Sequence, residues 1–501
     1  MSEHFDVIVI GSGAGGGLVA GELADSGAGV LLLEAGPHRT AADFMRWEAH
    51  ANHDIWYPPT LVEPAATGAP PLAVIRGRCV GGTTTVNTKV ALRPSDQDYA
   101  KWHAAGGLLG ADGDPFGAAD LAPHFERVEA RLGVRERSDW QTCVNTVVPG
   151  FEAMGAELEP VMSYTDANCM RCGSCLQGCP TNAGKNSMNV YIHPPWAEGR
   201  LTLRAGCTVQ RVVIEDHGSG PEASGVEYLD ADGRSRRVNA SVVVVAGGAM
   251  ATPQLLLRSG IREAAKGSAS SQLVGRHVGW HPARIIAGLF DEPQDAHMVY
   301  PISAHCMTSQ RDEDGGFIVE AATIQDPIGF AVMVSDENGL PMWGQELSET
   351  VRSYRYLSGL LTMVTDENHG IAWIDETGND RYSYEWSPVE QERDAAALHF
   401  AREVLLAAGA KRVLPSSQSS THVQGGCRMG SDPERSVIDA HGESHDVRRL
   451  FVGDGSAVPC TLSVNPSLTI MSLAGRLAAY LSSGEHGYFA TSSESPERVV
   501  V

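Results

Sequence analysis

Four cysteines lie within eleven residues, as Cys169-Met-Arg-Cys172-Gly-Ser-Cys175-Leu-Gln-Gly-Cys179, with Pro180 next. The C-x₂-C-x₂-C-x₃-C-P spacing is that of bacterial ferredoxins, whose thiolates wrap an iron–sulfur cluster. Two-cluster ferredoxins lend the fourth cysteine to a second cluster, yet no second run of this kind occurs here. The remaining cysteines (Cys79, Cys143, Cys207, Cys306, Cys427, Cys460) are scattered. One cluster of the 3Fe-4S or 4Fe-4S type, held by three or four of Cys169, Cys172, Cys175 and Cys179, is the economical expectation. Zinc is an alternative, although zinc sites usually draw on two separated Cys pairs. Reduced or disulfide-linked thiols in a Cys-rich loop are the other.

A second constellation opens the chain. Phe5–Ile10 reads as a buried parallel strand, and Gly11-Ser-Gly13-Ala-Gly-Gly16 follows it. Then come a helical stretch from Leu18 to Asp25 and an apolar strand, Val30–Leu33, ending in Glu34. This order is the dinucleotide-binding βαβ fingerprint. Gly11 permits the tight turn, Gly13 lets backbone approach a pyrophosphate, and Gly16 allows close helix–strand packing. The helix start offers free N–H groups to the phosphates. Glu34 is placed to accept from adenosine ribose hydroxyls. The motif does not separate NAD from FAD.

Gly77-Arg78-Cys-Val-Gly81-Gly82-Thr-Thr-Thr-Val-Asn87 resembles the G-R-x-x-G-G-x-x-x-x-N signature of the glucose–methanol–choline (GMC) oxidoreductases, whose backbone wraps the flavin. Ala251-Thr-Pro253 through Gly260-Ile261 is similar to the family's second signature. A third block carries Thr421-His422-Val-Gln-Gly425-Gly426-Cys-Arg-Met429-Gly430, then Asp454-Gly455-Ser456, then Asn465-Pro466-Ser-Leu-Thr469. The nearest branches are the long-chain alcohol oxidases and the bacterial sugar dehydrogenases with a Cys-rich segment. Some of the latter carry a three-iron cluster there.

The resemblance implies an α/β, Rossmann-like FAD-binding domain of GMC type plus an α+β substrate domain with an antiparallel sheet. The FAD domain would take residues 1–95, 165–290 and 420–501, and the substrate domain 96–164 and 291–419. The cofactor set would be Gly11, Gly13, Gly16, Glu34, Arg78, Gly81, Gly82, Asn87, Asp454, Gly455 and Pro466. The catalytic pair would be His422, as base, and Asn465, donating to the substrate oxygen. His281 matches a recurrent family histidine expected to be structural. Members with covalent flavin carry His before the motif Asn. Val86 stands there, so FAD is expected to be non-covalent.

The implied activity is an FAD-dependent alcohol (CH–OH) dehydrogenase moving hydride from the carbinol carbon to flavin N5. Electrons would leave through the cluster to a protein or quinone acceptor. An oxygen-dependent alcohol oxidase is the alternative within the family. From another class, an electron-transfer flavoprotein without its own substrate would need no base, which the His422–Asn465 pair argues against.

These groups need elements to hold them. Ser241–Ala246 before Gly247-Gly248, and Leu450–Gly453 before Asp454-Gly455, read as further strands whose carboxyl ends face the cofactor. Gly316–Thr323 alternates like a strand, as do Ile371–Ile374 and Tyr382–Trp386 about a Glu-Thr-Gly-Asn-Asp turn. Ser387 with Pro388 predicts a capped helix to about Ala408. Asn465 with Pro466 predicts another, with an apolar face of Ile470, Leu473, Ala474, Leu477 and Leu481. Its N-terminus would aim partial positive charge at the flavin N1/O2 edge.

Bulk composition fits a globular chain of two or three domains: 501 residues, 43% hydrophobic and 20% charged. A formal charge of −23 disfavours nucleic acid and anionic membranes as partners. No apolar run approaches a membrane span. The N-terminus shows no signal-peptide pattern, so a cytoplasmic location is expected. The stretch 482–501, rich in Ser and Glu, is expected to be a flexible tail.

Overall fold

The computed structural model describes residues 3–62, 72–307, 316–322, 324 and 327–490. Its base is a seven-stranded sheet. Leu201–Ala205, Val30–Glu34, His4–Ile10 and Ser235–Val245 lie parallel in that spatial order. Leu450–Val452 joins the last of these, also in parallel. Pro221–Leu229 and Thr208–Asp216 extend the sheet antiparallel. Val7–Val9 and Leu31–Leu33 are fully buried, as unbroken apolar runs become when helices cover both faces of a parallel sheet.

Two further sheets are built mainly of antiparallel pairs. A ten-stranded sheet places Ala283–Leu289, Leu357–Val364, Phe317–Ala322, Ile302–Cys306 and Glu159–Ser163 side by side. Thr60–Val62 and Leu72–Val74 lie at its other end, so early chain contributes to it too. A four-stranded sheet pairs Gly370–Ile374 with Asp380–Ser383, and Arg276–Gly279 with Gln424–Gly425. Of the alternating stretches read from the sequence, Ile371–Ile374 falls in Gly370–Ile374, Gly316–Thr323 contains Phe317–Ala322 with Thr323 outside the described residues, and Tyr382–Trp386 overlaps Asp380–Ser383 only at its start. The antiparallel sheet and the Rossmann-like sheet are both present.

Helix signals are met closely. The helix Pro388–Ala407 starts from a capping box in which Ser387 accepts from the Glu390 amide. The last helix, Ser467–Ser483, buries Leu473, Ala474, Leu477 and Leu481. Its cap is Pro466, and Asn465 caps nothing. The expected start is therefore one residue early. Within the expected tail, Ser482 and Ser483 are helical, and Tyr488 donates to Glu443 Oε1 at 2.6 Å. Residues 491–501 lie outside the described residues. Among the described residues no helix is long and apolar enough to cross a membrane.

Candidate active site

The glycine turn after the first strand is set by close approach. Gly11 has φ +95°, and a Cβ there would meet the Ala246 carbonyl oxygen at 2.3 Å. A Cβ on Gly16 would meet the Gly11 oxygen at 2.1 Å. Both positions demand glycine on protein contacts alone. Gly13, which caps the helix Ala14–Asp25, differs: a Cβ there meets nothing within 4 Å. Its open side at a helix N-terminus is what a pyrophosphate needs.

The loop carrying Arg78 to Asn87 lies directly on this turn. A Cβ on Gly82, at φ +53°, would sit 2.8 Å from Gly13 Cα. The Gly81 amide donates to Ser12 Oγ at 3.0 Å. Ser12 in turn donates from its amide and hydroxyl to Glu34 Oε2, at 3.0 and 2.6 Å. Glu34 Oε1 takes the Gly36 amide at 2.7 Å and keeps a lone pair for a ribose hydroxyl. Burial pushes the Glu34 carboxyl upward, and its Ser12 and Gly36 bonds and the Arg78 charge oppose that.

Asp454 stands apart from the other expected cofactor residues. Its Oδ2 accepts from the Gly248 amide at 2.7 Å and Thr252 Oγ1 at 2.5 Å. Its Oδ1 accepts from the amide and hydroxyl of Ser456, at 2.7 and 2.6 Å. Four donors fill the carboxylate, so Asp454 ties two strand ends together rather than offering itself to a ligand. Gly455 opens the short turn Gly455–Ala457 behind it.

Polar groups without protein partners gather toward the other end. Asn87 Nδ2 donates to Tyr164 Oη at 2.5 Å, and Tyr164 donates to Ser467 Oγ at 3.3 Å. This chain links the flavin-loop asparagine to the first residue of the last helix. Asn87 Oδ1 is buried and unpartnered, as is Asn465 Oδ1. His422 is half-buried with Nδ1 enclosed and unbonded. Gln424 bridges the two catalytic segments: its Nε2 donates to the His422 carbonyl at 3.1 Å, and its Oε1 accepts from the Leu462 amide at 3.3 Å. Burial pushes the His422 imidazole down to about 4, so it is neutral and ready to accept a proton at neutral pH.

Two residues join this end that the sequence reading did not assign to it. His281 is fully buried, both ring nitrogens lack partners, and its ring centroid is 5.2 Å from that of His422. No side-chain hydrogen bond supports the structural role expected for it. Glu320, on the strand Phe317–Ala322, is fully buried beside Asn465. The available signal was a lone acid inside the apolar run Phe-Ile-Val-Glu320-Ala-Ala. Buried polar groups normally bond to protein, ordered water or a ligand, so these atoms are open to a ligand or a water. The open Gly13 face, the spare Glu34 lone pair and this unpartnered end together fit a bound dinucleotide and a substrate oxygen.

The iron–sulfur expectation finds no such support. Among the described residues, no group of three or more His, Cys, Asp or Glu is placed to hold a metal ion. Cys169, Cys172, Cys175 and Cys179 line one cavity, but Cys175 and Cys179 are buried while Cys169 and Cys172 are half-exposed. The backbone between them is pinned: a Cβ on Gly173 would meet the His297 carbonyl oxygen at 1.9 Å. Burial pushes the Cys175 thiol up to about 12; Lys89 opposes this, and the neighbouring Cys179, Cys169 and Cys172 thiols add to it. At Cys179 burial also raises the thiol, but the Gly184 amide, Thr181 and Lys89 outweigh it and the net direction is down.

The sequence and fold match known proteins over nearly their whole extent. Residues 6–283 and 362–474 match the N- and C-terminal family models of the GMC oxidoreductases. A long-chain-alcohol oxidase of Arabidopsis thaliana is 26% identical over 94% of this chain, which spans 66% of that protein's length. An uncharacterized GMC-type oxidoreductase of Sinorhizobium fredii is 26% identical over 94% of each chain. Among solved structures, pyridoxine 4-oxidase from Mesorbium loti superposes with a TM-score of 0.74 at 18% identity, covering 95% of this chain and 99% of that one.

Proposed function

The chain belongs to the GMC oxidoreductase family and is an FAD-dependent oxidoreductase, and from that premise we propose that it oxidises the CH–OH group of a small alcohol with His422 as base. FAD, when bound, supplies the hydride acceptor. Gly13 and the start of the helix Ala14–Asp25 hold the pyrophosphate, and Glu34 the ribose. Gly81, Gly82 and Asn87 border the flavin. The neutral His422 imidazole takes the hydroxyl proton, and the Asn465 amide donates to the oxygen as negative charge builds on it. The N-terminus of Ser467–Ser483 adds partial positive charge nearby.

One observation supports this reading most. His422 Nδ1, His281 Nδ1 and Nε2 and Asn465 Oδ1 are all enclosed without partners, next to segments that hold the flavin loop. An electron-transfer flavoprotein would have no use for that arrangement. FAD is proposed to be non-covalent, because Val86 offers no nucleophile, and acid precipitation should release all the flavin.

The long-chain-alcohol oxidase and pyridoxine 4-oxidase relatives make an aliphatic or hydroxymethyl alcohol the first substrate to try. A panel of such alcohols mixed anaerobically with the enzyme should bleach the flavin, and complete failure across the panel opposes the reading. Peroxide formed in air would assign an oxidase. Its absence, with turnover on an artificial acceptor, would assign a dehydrogenase. Iron and acid-labile sulfide measured on anaerobically purified protein decide whether the Cys169–Cys179 segment carries an iron–sulfur cluster, carries zinc, or carries free thiols.

A further inference from the structure

Asn465 is reached through Thr461-Leu462-Ser463, which lies outside every helix and strand. Three consecutive amides there donate to side chains from three separate parts of the chain. The Thr461 amide donates to Asn368 Oδ1 at 2.9 Å, and the Leu462 amide to Gln424 Oε1 at 3.3 Å. The Ser463 amide and hydroxyl donate to the Asp98 carboxylate, at 2.9 and 2.7 Å. All three acceptor residues are buried. Buried amides need partners, and where no ladder supplies them the side chains that do so decide where the backbone runs.

Each acceptor is itself held. Asp98 also takes the amide and hydroxyl of Ser95, at 2.8 and 2.9 Å, in the capping box of the helix Asp96–Gly106. Asn368, at φ +57°, donates from Nδ2 to the His277 carbonyl at 3.4 Å. Gln424 pairs with Gly279 across the four-stranded sheet. A Cβ on Gly279 would meet Thr461 Oγ1 at 1.8 Å, so the segment lies directly against that strand. Of the three, Gln424 also reaches the base, because its Nε2 donates to the His422 carbonyl at 3.1 Å. Turning its amide over would set donor against donor and acceptor against acceptor, so one orientation satisfies both bonds.

We infer that Gln424 is a positioning residue that sets the spacing of His422 and Asn465, with Asn368 and Asp98 holding the segment it grips. This rests on the reading of those two residues as base and oxygen donor. A planar side-chain amide has a fixed span from Nε2 to Oε1. Bonded at both ends, it fastens the backbone of the base to the chain just ahead of the donor. Both groups must meet the same substrate hydroxyl, so a shift of about 1 Å between them costs up to roughly 10²-fold in rate.

Anaerobic flavin reduction by a substrate alcohol in the FAD-loaded enzyme tests this. Gln424→Met keeps the side chain's length and removes both bonds. It should slow reduction roughly 10–100-fold with FAD content unchanged. Placed in His422→Ala or Asn465→Ala, where one member of the pair is gone, the same change should cost less than about threefold. A residue that only supports the fold would cost the same factor in every background. Parent-like speed in Gln424→Met, or equal factors in all three backgrounds, overturns the inference. Should Gln424→Met fail to fold, Asn368→Gly decides, since glycine takes φ +57° freely. It should slow reduction roughly 3–10-fold in the parent and not at all in Asn465→Ala. No slowing in the parent, or equal factors in the two, would overturn the inference instead. If His422→Ala and Asn465→Ala are themselves as fast as the parent, the catalytic-pair reading has failed and this inference falls with it. Slow single variants beside a fast Gln424→Met remove the inference alone.

Discussion

The glycine turn at Gly11–Gly16 and the catalytic end around His422 treat polar atoms in opposite ways. At the turn, the Ser12 amide and hydroxyl, the Gly36 and Gly81 amides and all of Asp454 are bonded within the protein. Only the Gly13 face and one Glu34 lone pair are left over. At the catalytic end, His422, His281, Asn465 and Glu320 each keep buried polar atoms without a partner. The first region is a finished cradle whose shape exists before any ligand arrives. The second leaves bonding unfinished, and an unfinished buried site is costly unless a ligand or a proton completes it. Binding is thus built from satisfied groups and chemistry from unsatisfied ones.

That contrast can be broken from either side. After His422, Asn465→Ala should carry the largest penalty, slowing anaerobic flavin reduction by roughly 10²–10³-fold, the usual cost of one donor at a developing oxyanion. FAD content and melting temperature should barely change, because Asn465 caps no helix. A large loss of stability would show that this end is structural after all. Gly11→Ala should do the reverse. Its φ of +95° and the 2.3 Å approach to the Ala246 oxygen predict a loss of about 2 kcal/mol or more of stability, read as a fall in melting temperature with FAD lost.

Gly13→Ala sharpens the comparison within the turn itself. With nothing within 4 Å of a Cβ, the apoprotein should melt at the parent temperature, yet FAD affinity should drop about tenfold or more, since the methyl occupies the pyrophosphate's side. Equal FAD affinity would mean the open face is not the phosphate site. The smallest effect is on pH. His422 must be neutral to accept a proton, and burial holds its imidazole at about 4. Flavin reduction should therefore be flat through pH 5–7 and fall to about half as pH is lowered to about 4. A decline already at pH 6 would contradict a strongly desolvated imidazole.

The two regions were also unequally legible. Gly11, Gly16, Gly81 and Gly82 stand out in the sequence because backbone geometry is a local demand that only glycine meets. Asp454 was readable as a site residue but not as a structural tie, since its four donors come from Gly248, Thr252 and Ser456. Glu320 was not assigned to this end because 145 residues separate it from Asn465 and only packing brings them near. His281 was expected to be structural, and its lack of side-chain partners is a three-dimensional fact. The Cys169–Cys179 spacing was plain, while the shared cavity its four residues line shows only in three dimensions.

The central claim is that His422 is the proton acceptor at an otherwise intact flavin site. His422→Ala, loaded with FAD and mixed anaerobically in a stopped-flow instrument with a substrate alcohol, isolates the hydride step from any later acceptor. The account predicts full FAD occupancy and flavin reduction slower by roughly 10²–10⁴-fold. Reduction as fast as in the parent, with the same FAD content, would contradict it.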